Sequence, residues 1–278
     1  MDAEAFPPSD LELLEDVTFS AHGLRLDVLR PRRRTSEQLP AVMHIHGGAW
    51  VMFGKWPVAN VFLARAGFVT VSVDYRLAPG ATFPAQIHDV KTAVRWLRAH
   101  AKTFGVDPGR IGVWGISAGA HLAALLGTTA HQPELEGLGG GWKDWSSEVQ
   151  AVGNVSGVMD FLDPAMPFGP EPFPLFGAPL AERPDLAVLA SPVTHTSNSS
   201  APFIHLHGKH DEHVPISQSR RMHAALGALN ASSELVELDG DHFINETHQH
   251  EVESRLLAFF QRELAHASSA YAGPATGR

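Results

Sequence analysis

At 278 residues and 44% hydrophobic content, the chain is long enough to bury the core of one large α/β domain. Its formal net charge of −9, with no dense basic cluster beyond Arg30-Pro31-Arg32-Arg33-Arg34, argues against a nucleic-acid groove and places that basic run in a solvated loop. The absence of cysteine excludes disulfides, thiolate nucleophiles and cysteine-based zinc sites.

Nowhere do 18 consecutive apolar residues occur, and Met1-Asp2-Ala3-Glu4-Ala5 lacks the basic and apolar regions of a leader. The expectation is a soluble cytoplasmic protein with no membrane engagement. Residues 1–16, acidic and proline-containing, read as a surface-lying lead-in. Val17-Thr18-Phe19-Ser20 and Leu24 to Arg30 alternate apolar with polar residues around His22-Gly23, the pattern of an antiparallel edge hairpin. Ala41 to His46 follows as a strand that runs into Gly47-Gly48-Ala49-Trp50. Pro57 to Ala66 has helical composition, and Phe68 to Val73 is an almost wholly apolar strand, as expected of one buried on both faces of a parallel sheet.

Gln86 to Phe104 reads as a long amphipathic helix with Val90, Val94 and Leu97 on its apolar face. From Arg110 an apolar run passes without a polar spacer into the Ala/Leu-rich segment ending near Leu126, so a strand runs straight into a helix. The turn between them is Gly115-Ile116-Ser117-Ala118-Gly119, a G-x-S-x-G pattern that lifts a serine hydroxyl clear of the sheet and aims free helix N–H groups toward it. Between Gly137 and Ser200 the pattern is poorer: Val149 to Val155 is a strand, and prolines over 164–184 recur too often for regular structure. The region 137–200 therefore reads as an irregular insertion over the site. Strand 203–207, helix 217–229, strand 234–238 and a helix from about 247 to 263 complete the order, before an Ala/Ser/Gly/Pro tail over 266–278 expected to fray. Alternation of strands and helices implies a mostly parallel central sheet with helices on both faces, in one domain over 1–278.

A serine hydroxyl needs a base within hydrogen-bond reach, and that base needs an acceptor to hold its tautomer. Asp211 and His242 each follow a late strand immediately, which puts them at the same carboxyl edge as Ser117. Asp160, Asp163 and Glu212 are rival acids, and His210 and His213 are rival bases. His44, His46, His205 and His207 alternate with apolar residues on strands and are read as satisfied structural histidines, with no metal site. In His46-Gly47-Gly48-Ala49-Trp50 the small residues let main-chain N–H groups turn inward, so Gly48, Ala49 and Ala118 are the expected oxyanion donors. Trp50 is a candidate wall of the substrate pocket.

These two segments, together with Asp74-Tyr75-Arg76-Leu77-Ala78-Pro79, His207 to Pro215 and Gly240-Asp241-His242-Phe243, resemble the α/β-hydrolase carboxylesterases related to hormone-sensitive lipase. The closer likeness is to small microbial esterases of the carbohydrate or feruloyl esterase-like kind, over roughly residues 20–262. The resemblance implies Ser117 as nucleophile, His242 as general base and Asp211 as its partner, acting on a small-molecule ester with no cofactor. A homodimer is compatible with it. Ile116 stands where many relatives carry an acidic residue, which makes it a candidate substrate-contacting position, and Ala49 stands where they carry a third glycine. The relatives' N-terminal helical cap has no counterpart before His46, so a more open site is expected. Kynurenine formamidase shares His-Gly-Gly-x-Trp and Ser-Ala-Gly-Ala-His-Leu and is the rival activity. A non-catalytic ligand receptor on the same fold is the rival class.

Overall fold

The computed structural model describes residues 6–33, 37–130 and 132–265. Its frame is an eight-stranded sheet built from β1 (Leu11–Thr18), β2 (Arg25–Pro31), β3 (Leu39–Ile45), β4 (Val69–Val73), β5 (Val106–Ile116), β6 (Ala151–Val155), β9 (Phe203–Gly208) and β10 (Ser233–Leu238). The spatial order is β1-β2-β4-β3-β5-β6-β9-β10. All contacts from β4 to β10 are parallel, whereas β2 pairs antiparallel with both β1 and β4. Two further strands, β7 (Pro172–Phe173) and β8 (Ala178–Pro179), form a separate short hairpin within the irregular region.

The core lies on both sides of this sheet because successive side chains alternate in direction. On β5, Ile111 and Val113 join one apolar cluster, and Trp114 joins the other. The first face carries α2 (Ala85–Ala99), α3 (Ala101–Phe104), α4 (Ala118–Thr128) and α6 (Ser217–Ala228). The second carries α1 (Val61–Arg65), α7 (Ile244–Thr247) and α8 (Gln249–Ala265), whose Leu256 and Phe260 reach the sheet. The remaining helix, α5 (Pro184–Ala190), belongs to the irregular region.

Several expectations are corrected. Part of the supposed lead-in is β1 itself, which begins at Leu11; a bulge between Leu14 and Val17 breaks its two-residue period, so the acidic residues there hid the alternation. Arg30 is not in a solvated loop: it sits on β2, only 6% exposed, and its guanidinium donates to Glu12 at 2.9 Å and to Phe104 O at 3.1 Å. Helix α1 is half the expected length because Asn60 is committed to tertiary bonds, donating to Val71 O (3.0 Å) and accepting from Trp114 Nε1 (2.8 Å). The 86–104 helix divides at His100, whose ring nitrogen bonds Trp96 O at 2.8 Å beside the main-chain bond to the same carbonyl. The tail 266–278 lies outside the described residues.

Helix α2 buries both its faces. Lys91, Arg95 and Arg98 are each no more than 1% exposed, because the segment after α4 covers them. Lys91 donates to Thr129 O and Glu136 Oε1 (both 2.6 Å), Arg95 to Glu136 Oε2 (3.0 Å), and Arg98 to the carbonyls of Ser146 and Glu148. A buried cation left unpaired would be strongly destabilising, so these carbonyls and Glu136 dock the segment onto α2.

Candidate active site

The connection after β3 leads to β4 on one side of it, while the connection after β5 leads to β6 on the other. The carboxyl ends of β3 and β5 therefore border a topological switch point, where open α/β sheets leave a crevice. The His46–Trp50 loop leaves β3 there, and the serine turn leaves β5.

Ser117 sits at φ 54°, ψ −118°, between the last residue of β5 and the first of α4. A non-glycine residue held at such an angle costs on the order of 1–3 kcal/mol and persists only if its neighbours fix it. They do: Ser117 N donates to Val155 O at 2.9 Å, and His121 N donates to Ser117 O at 3.0 Å. Gly115 and Gly119 are required by close approach. A Cβ on Gly119 would fall on the Ile45 carbonyl oxygen, and one on Gly115 would fall on the Gly119 backbone. Only bare backbone lets α4 dock this tightly against the end of β3.

The facing loop is equally constrained. Gly48, Ala49 and Trp50 all have positive φ (96°, 51° and 62°), which curls the chain so that Val51 N and Met52 N both bond Gly48 O, at 3.0 and 3.1 Å. The N–H groups of Gly48, Ala49 and Ala118 have no acceptor among the described residues. A Cβ on Gly47 would lie 3.6 Å from Ser117 Cβ, so this loop runs directly against the serine. Tyr75 holds it from behind, its hydroxyl donating to His46 O (3.1 Å) and Gly47 O (3.2 Å).

Trp50, expected at the pocket wall, is only 4% exposed. Its indole N–H donates to His121 Nδ1 at 3.1 Å, and His121 Nε2 donates in turn to Ala190 O at 2.7 Å, so the side chain ties the loop to α4 and α5. Phe161 and Phe173 from the irregular region pack on the indole, each with ring centroids 5.8 Å away. These two rings cover the indole of the loop. Ile116 is half-buried beside the serine.

Asp211 and His242 are brought together. His242 Nδ1–H donates to Asp211 Oδ2 at 2.7 Å, and Asp211 Oδ1 accepts from His213 N (3.0 Å) and Val214 N (2.8 Å). The two loops are joined by main chain as well, with Lys209 N bonding Leu238 O and His210 N bonding Gly240 O. Burial alone would raise the Asp211 carboxyl pKa. Donation from His207, His242 and Val214 N outweighs burial and holds the group below the usual carboxylate range. With Nδ1 engaged, Nε2 of His242 is the nitrogen left for a hydroxyl. No hydrogen bond joins Ser117 Oγ to His242 among the described residues; catalytic contacts of this kind often tighten only around substrate.

The rival groups Asp160, Asp163 and His210 are committed elsewhere. Asp160 accepts from Arg221 Nε (2.9 Å), and Asp163 accepts from Ser217 Oγ (2.7 Å) and Gln218 Nε2 (3.0 Å). Glu212 is exposed, His210 pairs with Asp239 at the surface, and His213 lies 5.3 Å from the His242 ring. Exposed apolar side chains that sequence reasoning missed flank the site. Met52, Phe53 and Trp56 follow the glycine loop, and Phe243 stands 5.4 Å from His242. The run Val51-Met52-Phe53 directly after a ligand-facing turn was their signal.

The four strand histidines are not all satisfied. Both ring nitrogens of His44, and Nε2 of His46 and His205, lack partners among the described residues, so these rings are buried as neutral, largely apolar bodies. His44 packs 4.5 Å from Trp114, and His46 stacks 4.2 Å from Tyr75. Burial pushes His44 and His205 down to about 3 and His121 to about 4. On unfolding each regains an ordinary imidazole and takes up a proton below about pH 6.5, so the stability from neutral burial is complete above that pH and is lost as pH falls. Each of the three is expected to cost about 2 kcal/mol at pH 5 relative to pH 7. Urea denaturation at the two pH values measures this, and a total difference below about 1 kcal/mol would contradict neutral burial.

The strand order, the strained serine turn after β5 and the acid and histidine loops after β9 and β10 define an α/β-hydrolase. Residues 26–226 match the model of the BD-FAE family, and the chain belongs to that family. It is 36% identical over 213 residues to Esterase LipQ of Mycobacterium tuberculosis, an alignment covering 73% of this chain and 49% of LipQ. The chain thus spans about half the length of the curated relatives it matches. Among solved structures it resembles a truncated carbohydrate esterase from gut microbiota (TM-score 0.84, 26% identity, covering 91% of this chain and 96% of that one). It also resembles a bifunctional GH43-CE protein of Bacteroides eggerthii (TM-score 0.84, 32% identity, covering 90% and 38%). Among the described residues no helix is long and apolar enough to cross a membrane.

Proposed function

We propose that this chain is a serine carboxylesterase that cleaves short-acyl or aryl carboxylic esters through an acyl-enzyme. The observation that carries the reading is the 2.7 Å bond from His242 Nδ1–H to a buried, ionised Asp211 at the sheet edge where Ser117 stands half-buried on a strained turn. Ser117 Oγ attacks the ester carbonyl while His242 Nε2 takes its proton. The carbonyl oxygen, now negative, receives the N–H groups of Gly48, Ala49 and Ala118, each donor of this kind contributing about 10²–10³-fold in turnover. His242 then protonates the leaving alcohol, water enters by the same base, and the acid departs.

The short-acyl or aryl preference rests on the shape of the rim. The aromatic side chains of the irregular region pack on one another, Phe161 stacking on Phe168 at 5.5 Å, while Phe53 against Gly48 and Phe243 beside His242 stay exposed as an apolar rim. The esterase and carbohydrate esterase names of the matched proteins support ester hydrolysis as the reaction class. Kynurenine formamidase remains the second reading, on the shared motifs alone. A series of p-nitrophenyl esters from acetate to decanoate, run beside N-formylkynurenine, tests both. The expected result is a maximum at acetate or butyrate with little formamide cleavage. Faster turnover of N-formylkynurenine than of any ester would overturn the assignment.

A further inference from the structure

Behind the Asp211–His242 pair lies a buried chain of polar side chains with no part in the reaction as described above. It begins at Asn154 on β6, whose Oδ1 accepts from Gly157 N at 2.9 Å, which fixes the orientation of the amide. Its Nδ2 therefore donates twice, to His205 Nδ1 (2.8 Å) and to Ser219 Oγ (3.0 Å). Having accepted that hydrogen bond, the Ser219 hydroxyl donates its own to His207 Nδ1 at 2.7 Å. The other nitrogen, His207 Nε2, faces two acceptors and no donor: Val214 O at 2.8 Å and Asp211 Oδ2 at 3.2 Å. Asn154, His205, His207 and Ser219 are all fully buried. Nε2 of His207 must therefore carry a hydrogen, and the neutral Nε2–H imidazole is the form in which the Ser219 hydroxyl hydrogen also finds an acceptor.

We propose that His207 is a positioning residue of this esterase site: as an Nε2–H tautomer imposed through Ser219 and Asn154, it holds the Asp211 carboxylate and the Val214 carbonyl in one turn and thereby sets the orientation and basicity of His242. This rests on the assignment of Ser117, Asp211 and His242 made above. The carboxylate Oδ2 accepts from the His242 imidazole on the β10 loop and has the His207 Nε2–H from β9 3.2 Å away, while Oδ1 takes two main-chain N–H groups. Three hydrogen bonds, with the His207 Nε2–H close beside them, leave the carboxylate no second orientation. A second N–H close to Oδ2 also takes up part of the negative charge that faces His242. The titratable groups around this pair are Asp211, His205 on the same strand, Glu237 opposite His207 in register on β10, and His213 beside His242. Glu237 is itself paired with Arg220 at 2.7 Å.

Two measurements on the full chain test this. The first is the ring tautomer of His207 by nitrogen-15 correlation spectroscopy at neutral pH. A neutral Nε2–H ring is expected; an Nδ1–H tautomer or an imidazolium would overturn the proposal whatever the activity. The second is kcat/KM for p-nitrophenyl butyrate across pH 5–9 in His207→Phe and His207→Gln. Phenylalanine keeps the ring and removes the donor. It is expected to lower kcat by about 10–100-fold with KM within about twofold, and to move the acid limb to higher pH by about half a unit. Glutamine, whose amide nitrogen reaches the Nε2 position, should recover most of that loss and return the acid limb toward the parent. Equal losses in both variants with an unmoved acid limb would reduce His207 to a packing residue and overturn the proposal. If His207→Phe fails to fold, the tautomer and the glutamine profile still decide, an Nε2–H ring in the parent and a parent-like acid limb in the glutamine variant being required together. Failure of the esterase assignment reads out separately, as activity that survives loss of the Ser117 hydroxyl.

Discussion

Ser117→Ala is expected to lower kcat/KM for p-nitrophenyl butyrate by about 10⁶-fold, the loss seen when the nucleophile is removed from a serine triad. The fold should be unaffected for a local reason. Alanine keeps the Cβ at the same positive φ, so the strain of the turn is neither added nor released, and the main-chain bonds to Val155 O and from His121 N do not involve the hydroxyl. The melting temperature should therefore stay within about 2 °C, since the change removes no bond that holds the fold. Some rate above the uncatalysed one should persist, because the proposed oxyanion donors, the N–H groups of Gly48, Ala49 and Ala118, would act even when water is the attacking group. Activity within about tenfold of the parent would mean that another group carries the attack, and the proposed mechanism would fall.

What could be read before the structure was known follows from where the information sits. The serine turn was legible because its pattern is local: Gly115 and Gly119 flank a serine between an apolar run and a helical one. The parallel order of β3 to β10 was legible for a similar reason, since β-branched runs alternate with helical segments. Asp211 and His242 could be placed at one edge by counting strands, although their 2.7 Å contact could not. The polar face of α2 misled because its partners lie 38–50 residues further along the chain, in a segment with little periodicity. The same holds for Asn154, Ser219 and His207, which meet only after β6 and β9 pair and α6 folds back across them. A histidine alternating with apolar residues on a strand looks the same whether it merely fills space, as His44 does, or grips the acid, as His207 does. The spacing His207-Gly208-x-x-Asp211 was the one available hint.

Asp211→Asn carries the second large expectation, a fall in kcat/KM of about 10⁴-fold at neutral pH. The geometry dictates how the new amide must sit. Oδ1 of Asp211 accepts from two main-chain N–H groups, His213 at 3.0 Å and Val214 at 2.8 Å, and an NH₂ group placed there would meet both donors head on. The carbonyl oxygen of the introduced amide therefore keeps that position, and the NH₂ takes the place of Oδ2. It then points at His242 Nδ1, 2.7 Å away from the present oxygen, which must turn from donor to acceptor. The proton moves to Nε2, the nitrogen needed as base, and the nascent imidazolium loses its counter-charge. The same NH₂ opposes the His207 Nε2–H, so the variant should also lose stability, by about 1–3 kcal/mol for an opposed buried donor. Asp163→Asn is the control, because that carboxylate accepts from Ser217 and Gln218 and has no contact with His242. Its kcat/KM should remain within about threefold of the parent, since an acid that does not orient the base contributes little to the barrier. A reversal, with the 163 variant inactive and the 211 variant active, would move the acid to the loop after β6 and leave the Asp211–His242 bond a structural one.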